Sequence, residues 1–338
     1  MKGTLRLATL VLVGFGALGL AGNALATQRL AVSQSTTSLT IKVSQDQSDV
    51  QPAKITIYVP TGYQLNATQA PGTKIGTTTG QVFARDANIP LPLSGDVIVA
   101  DPAQHTKDAC SPGTHIAVWL LNLSVAGQTI SLPVYVTATS GTEAGIGPVK
   151  LEVCLGPADV PQGTPGRSPN GAQLLEATFT VQNTITPPTG PARWTSFWTP
   201  YKAGTPLPNA AGTVEARSIV GPGAVTLRAK ILSKKKKIVR LSGAVTQSGD
   251  AVAGANVSLL INSRSRFTTK SNASGGFAFR LRNTNRRVST TFFQAVATAA
   301  ARDVTATGCA SPTQPPIPCV SATAGGFTAT SKKIKVRL

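Results

Sequence analysis

The side chains best equipped for chemistry stand close together: His105, Asp108, Cys110, Ser111 and His115 fall within eleven positions, and the two histidines are the only ones in the chain. Zinc is held by Cys and His at short characteristic spacings, and His105-x4-Cys110-x4-His115 fits none of the strong ones. A Ser-His-Asp triad can be drawn from Ser111, Asp108 and one of the two histidines, His105 or His115. These three would crowd one short loop, however, and the serine lacks the sharp turn that exposes a nucleophile. Six carboxylates, Asp96, Asp101, Asp108, Glu143, Glu152 and Glu176, leave room for a glycosidase-like acid pair, because spatial pairing is not written in sequence. The chain has no His-Glu-x-x-His, Gly-x-Ser-x-Gly, phosphate-binding or dinucleotide-binding motif. We therefore expect no metal, no cofactor and no catalysis, with a secreted hydrolase as the remotest alternative.

Four cysteines, Cys110, Cys154, Cys309 and Cys319, are simplest as two disulfides if the chain is exported. Three pairings exist, and Cys110 with Cys154 plus Cys309 with Cys319 keeps each bridge local. Closing the longer loop stabilises by about 4 kcal/mol in the chain-entropy model. Export is expected from the N-terminus. Lys2 and Arg6 precede an apolar run from Leu7 to Ala21, and Ala24-Leu25-Ala26 matches a small-x-small cleavage site, giving a signal peptide over 1–26. That run is short for a bilayer span of roughly 20 residues, and no later stretch approaches it, so no transmembrane segment is expected after cleavage.

Charge divides the remainder. Residues 27–227 carry 11 Lys and Arg against 11 Asp and Glu, whereas 228–338 carry 19 against 2, a net charge of +17. The seam is Lys230 to Leu241, with Lys234, Lys235, Lys236 and Lys237 at its centre. Arg240, Arg280, Arg282, Arg286, Arg287, Lys333, Lys335 and Arg337 recur on the expected strands and turns that follow. If several share a face, they attract polyanions. An anionic envelope polymer or surface is the expected partner. No Trp or Tyr stands among the cations after residue 228 to stack bases, so no specific nucleic acid is expected.

Aromatic residues are 5% of the chain, yet Trp194, Phe197, Trp198 and Tyr201 stand within eight positions. Exposed, Trp194, Trp198 and Tyr201 would stack on sugar rings, which makes a carbohydrate-binding protein the main alternative. Buried, they would fill the end of the first domain.

Those residues need elements to hold them. Gly and Pro total 56, charged residues are only 13%, and Val, Thr, Ser and Ala abound. This composition favours short strands joined by turns. Leu39, Ile41 and Val43, then Ile55, Ile57 and Val59, alternate as half-buried strands do. Further strands are expected at 97–100, 116–123 (with Trp119 in the core), 129–137, 149–155 and 174–181. Loops are expected over 156–172 and 187–191. A hairpin is expected where 212–219 and 224–232 flank Gly221-Pro222-Gly223. The length is too great for one core.

From Ile238 the chain runs Leu241-Ser242-Gly243-Ala244-Val245, Val252-Ala253-Gly254-Ala255-Asn256-Val257-Ser258-Leu259 and Ser274-Gly275-Gly276-Phe277. Over about 45 residues this resembles the carboxypeptidase regulatory-like and related bacterial Ig-like or transthyretin-like modules, with Ala251 where proline is common and Ser274-Gly275 in place of an acidic turn residue. The resemblance implies a mostly non-catalytic β-sandwich without a specified ligand. The expectation is an all-β protein of two tandem antiparallel β-sandwich domains after a signal peptide, 27–232 and 233–338. It would be secreted or bound non-covalently to a cell surface, with the basic module docking on an anionic partner.

Overall fold

The protein is described by a computed structural model covering residues 26–35, 37–282, 290–304 and 317–337. The expected leader up to residue 25, Arg286, Arg287 and Cys309 lie outside the described residues.

The molecule is built almost wholly of strands, as the composition requires. In chain order they are β1 (Arg29–Gln34), β2 (Ser38–Ser44), β3 (Pro52–Val59), β4 (Gln64–Leu65), β5 (Lys74–Ala84), β6 (Ile89–Ala100), β7 (Ala117–Val125) and β8 (Gln128–Ala138). There follow β9 (Val149–Cys154), β10 (Ala172–Gln182), β11 (Ile185–Thr186), β12 (Ala192–Pro200), β13 (Val214–Val220), β14 (Gly223–Val225), β15 (Arg228–Ser233) and β16 (Ile238–Gln247). The last are β17 (Asp250–Ala251), β18 (Asn256–Ile261), β19 (Arg264–Lys270), β20 (Gly276–Arg282), β21 (Thr290–Ala299), β22 (Arg302–Asp303), β23 (Cys319–Ala324), β24 (Phe327–Thr330) and β25 (Ile334–Arg337). The alternation read in β2 is real, since Leu39, Ile41 and Val43 are buried and their neighbours half-exposed.

Thirteen strands form one sheet, ordered β1-β2-β10-β5-β6-β7-β8-β9-β3-β12-β13-β23-β22. It bends back on itself until β1 meets β13 and β23. There the Val32 N–H donates to Ser218 Oγ at 2.9 Å and Thr323 Oγ1 donates to the Leu30 carbonyl at 2.6 Å. On β5 and β6, glycines stand where a neighbouring strand's backbone comes close. A Cβ on Gly80 would stand 2.1 Å from the Glu176 carbonyl oxygen, and one on Gly95 would stand 1.9 Å from that of Asn122. Only glycine allows such an approach. The enclosed core holds Leu30, Val97, Trp119, Val181, Trp194 and Trp198.

A second, smaller core lies between two further sheets. In one, β14 and β15 run along one edge of β16, with β17 and β20 along the other. In the other, β19, β18 and β21 lie side by side, and β24 and β25 share the outer edge of β21. Val239, Leu241, Val245, Val257 and Leu259 fill the space between them.

The strands do not change over at Leu232. Residues 223–233 already pair with β16, so the expected hairpin between 212–219 and 224–232 does not form; β13 pairs with β12 and β23 instead. The turn signal at Gly221-Pro222-Gly223 is real, but Val225 and Leu227 turn into the second core, which apolar patterning alone cannot specify. The C-terminal segment also departs from the expected completion of the second sandwich. β23 returns to the large sheet and lies parallel to β13, the only parallel pair among the described strands. The chain thus crosses between the two bodies at 221–223, 299–302 and 325–327. Gln247, 2% exposed, ties two of these crossings by donating from Nε2 to the carbonyls of Gly221 and Gly325, each at 3.1 Å.

Candidate functional site

The basic run at 234–237 is a turn between paired strands and not a linker between domains. It joins β15 to β16: Lys237 takes a left-handed φ of +50°, its N–H reaches the Lys234 carbonyl at 3.1 Å, and the Lys236 N–H reaches Ser233 Oγ at 3.1 Å. Lys234, Lys235 and Lys236 are exposed and Lys237 is half-buried. On either side of this turn the register does the assembling. Lys230 lies opposite Arg240, and Arg240 lies opposite Arg280, while Arg228 pairs with Ser242 and Arg282 with Ile238. Since Val239, Leu241 and Phe279 point into the core, period-two alternation turns Arg228, Lys230, Arg240, Arg280 and Arg282 outward on one three-stranded face.

None of these five makes an ion pair or a side-chain hydrogen bond among the described residues. Like charges directly opposite on neighbouring strands destabilise a sheet by about 0.2–1 kcal/mol per pair. The Lys230–Arg240–Arg280 row therefore carries a cost that dispersed surface charge would avoid.

The remaining cations are elsewhere. Lys335 and Arg337 lie on β25 opposite Phe292 and Thr290, on the outer side of the other sheet, with Lys333 exposed in the link before them. β25 comes close to β15 at one edge. Arg228 was missed by the sequence reading, although its position two residues before Lys230, facing Ser242 across the hairpin, would have found it.

The aromatic row is a correction. Trp194 and Trp198 are 0% and 1% exposed and cannot stack on a sugar. β12 runs between β3 and β13, which turns both indoles into the large core. Trp194 Nε1 donates to the Tyr63 hydroxyl at 3.0 Å, Trp198 Nε1 to Ser196 Oγ at 2.9 Å, and the Tyr201 hydroxyl to the Leu155 carbonyl at 2.6 Å. Each ring's polar tip is thereby spent inside the fold.

The histidine loop also resolves. Cys110 is bonded to Cys154, as expected, with 5.8 Å between their Cα atoms, so it is no thiolate ligand. Cys319 is disulfide-bonded too; Cys309, its expected partner, lies outside the described residues. His105 Nδ1 is 2.7 Å from Asp108 Oδ2, and the Tyr135 hydroxyl donates to the same oxygen at 2.8 Å. Those bonds, His105's foremost, hold the Asp108 carboxyl below its usual range. Ser111 donates to Glu152 Oε2 at 2.9 Å and His115 Nδ1 is 3.0 Å from Thr137 Oγ1, so among the described residues neither histidine is hydrogen-bonded to the serine.

Glu143 and Glu152 come together, but around Lys150, whose Nζ is 3.2 Å from Glu143 Oε2 and 3.5 Å from Glu152 Oε1. Burial pushes the Glu152 carboxyl up, and Lys54, Lys150 and the Ser111 hydroxyl together outweigh it, leaving the group below its usual range. It is an ionised structural anion, unlike a general acid, which needs a raised pKa.

Inside the large sheet lies a cavity of about 270 Å³ with mainly apolar walls, which no residue pattern announces. Compared with known proteins, the chain matches no family model and no curated protein.

Proposed function

We propose that this is an exported, non-enzymatic binding protein that docks through its cationic β15-β16-β20 face on an anionic surface or envelope polymer, leaving the charge-balanced body outward. The observation carrying this reading is the in-register row Lys230, Arg240 and Arg280, flanked by Arg228 and Arg282, with no acidic partner among the described residues. Solubility requires net charge and does not require three cations opposite one another. The resemblance of 238–279 to non-catalytic sandwich modules points the same way. The Cys110–Cys154 bridge belongs to oxidising compartments, and among the described residues no helix is long and apolar enough to cross a membrane. Surface attachment would then be non-covalent.

The test is co-sedimentation of the full mature chain with isolated cell envelope across a salt series. Binding should fall steadily as salt rises, because each contact releases counter-ions. Lys230→Glu/Arg240→Glu/Arg280→Glu should weaken it by about tenfold or more at low salt and flatten the salt dependence, with the melting transition retained. Equal pelleting of the variant and the natural chain, or binding indifferent to salt, would sink the proposal.

A further inference from the structure

The cavity inside the large sheet has a specific origin. Along its inner face one cross-strand row reads Ala177, Gly80, Leu93, Val125, and the next reads Phe179, Thr78, Gly95, Leu123. Where a packed sandwich would place large side chains on the central strands, β5 and β6 place glycines and a threonine. The space left over is walled by residues such as Leu93, Leu121, Leu123, Ile130, Leu132 and Phe179.

Five polar residues border it, Gln51, Thr78, Glu152, Arg167 and Ser168, of which Glu152 stands on β9 between the inward Leu151 and Val153 and turns its carboxylate to the outer face, against Thr56 and Ser111. Four are committed. Gln51 Oε1 accepts from the Leu174 N–H at 2.9 Å, and its Nε2 donates to the Gly156 carbonyl at 3.4 Å. Glu152 is held by Lys54, Lys150 and Ser111. Ser168 Oγ donates to the Pro157 carbonyl at 3.4 Å, and Arg167 is clamped to Asp86. Thr78 is the exception: it is 1% exposed, and its hydroxyl has no hydrogen-bond partner among the described residues. A buried hydroxyl left unpaired costs free energy, and a lone water needs two to four polar partners, which this apolar wall does not supply.

We propose that the cavity binds a neutral, largely apolar small molecule bearing one hydroxyl or carbonyl group, its body against the leucine, isoleucine and valine walls and its polar group hydrogen-bonded to Thr78. Size sets the scale, since a cavity of about 150 Å³ takes one benzene, and the same ratio allows about ten carbon atoms here. Charge sets the class. Among the described lining residues no cation is free for a carboxylate ligand, since the guanidinium of Arg167 is already held by Asp86. Access lies under the loop between β9 and β10, which contributes Gly156, Gly166, Arg167 and Pro169 to the lining. Arg167 Nη1 and Nη2 reach Asp86 Oδ2 and Oδ1 at 3.0 and 2.5 Å, and its Nε donates to the Val160 carbonyl at 2.8 Å, strapping this loop to the β5–β6 turn.

The test titrates the full mature chain with decan-1-ol, decanoate and decane by calorimetry, and follows tryptophan emission, because Trp119 stacks on the lining residue Phe179 with ring centroids 5.9 Å apart. Decan-1-ol should bind one to one, shift the emission, and bind at least about tenfold tighter than either comparator, tenfold being the worth of one net hydrogen bond of about 1.4 kcal/mol. Thr78→Val should erase the preference for the alcohol over decane while the chain stays folded, and Ala177→Phe should block all three. Should Ala177→Phe not fold, Leu123→Phe serves as the filling variant. Absence of saturable decan-1-ol binding, an alcohol preference that survives Thr78→Val, or binding undiminished in the filled variant each overturns the proposal.

Discussion

The two bodies of this molecule are both sheets around an apolar core, yet they manage charge in opposite ways. In the large body most of the cations meet an acid, as Lys42 does Glu176 at 2.8 Å, Lys74 does Asp96 at 2.7 Å, Arg167 does Asp86 at 2.5 Å, and buried Arg217 does Glu215. In the smaller body the cations of β15, β16 and β20 face one another with none among the described residues. Paired charge contributes to holding a fold, whereas unpaired like charge held in register by a sheet is free to act on something outside it. The contrast teaches that net charge alone is a weak clue until register says which charges are committed.

The comparison breaks most visibly in the large core. Trp198→Ala should cost about 3–5 kcal/mol, as removal of a buried indole does, and shift the urea midpoint accordingly. A variant that kept its stability would mean that the ring is not core, and would revive the sugar-stacking reading of that row.

Acid sharpens the contrast next. The folded carboxyl of Glu152 lies below its unfolded value, so the stability it contributes is present above about pH 4.3 and is lost as pH falls through the lower folded value. Glu152→Gln should therefore melt lower than the natural chain at neutral pH, and the gap should close as the solution is taken towards pH 3. A gap that stays constant with pH would show that the Lys54–Glu152–Lys150 cluster carries no net ionic stability.

The smallest effect has the opposite sign. Arg240→Thr removes the middle cation of the row without disturbing β pairing, and relieves two like-charge contacts worth about 0.2–1 kcal/mol each. Its melting temperature should rise by about 2 °C while envelope binding falls. A fall in melting temperature would mean that Arg240 is held by favourable contacts, and the comparison between the bodies would lose its main support.

Much of the fold was legible. β2, β3, β7, β8, β9 and β10 announce themselves by alternation, and Trp119 is at 0% exposure in the core where its apolar strand predicted. β5 and the first half of β6 did not, because Lys74-Ile75-Gly76-Thr77-Thr78-Thr79-Gly80 has no apolar period and Pro90 and Pro92 argue against a strand. Those same unstrandlike residues let neighbouring backbones close in and leave the cavity open. The reading of Trp194, Trp198 and Tyr201 could not be decided from spacing, since alternate rings on a strand look the same whether they face solvent or a second layer.

Local chemistry therefore determined the strand class, the cation excess after residue 228 and the sense of the Cys110–Cys154 pairing, each of which depends on residue type or on near neighbours. Tertiary structure alone decided three things: which cations share a face, that β23 returns to the large sheet, and that Thr78 is left unpaired inside it. All three rest on the pairing of residues far apart in the chain. A one-residue change of strand register would turn every side chain to the other face, and nothing in the composition would record it.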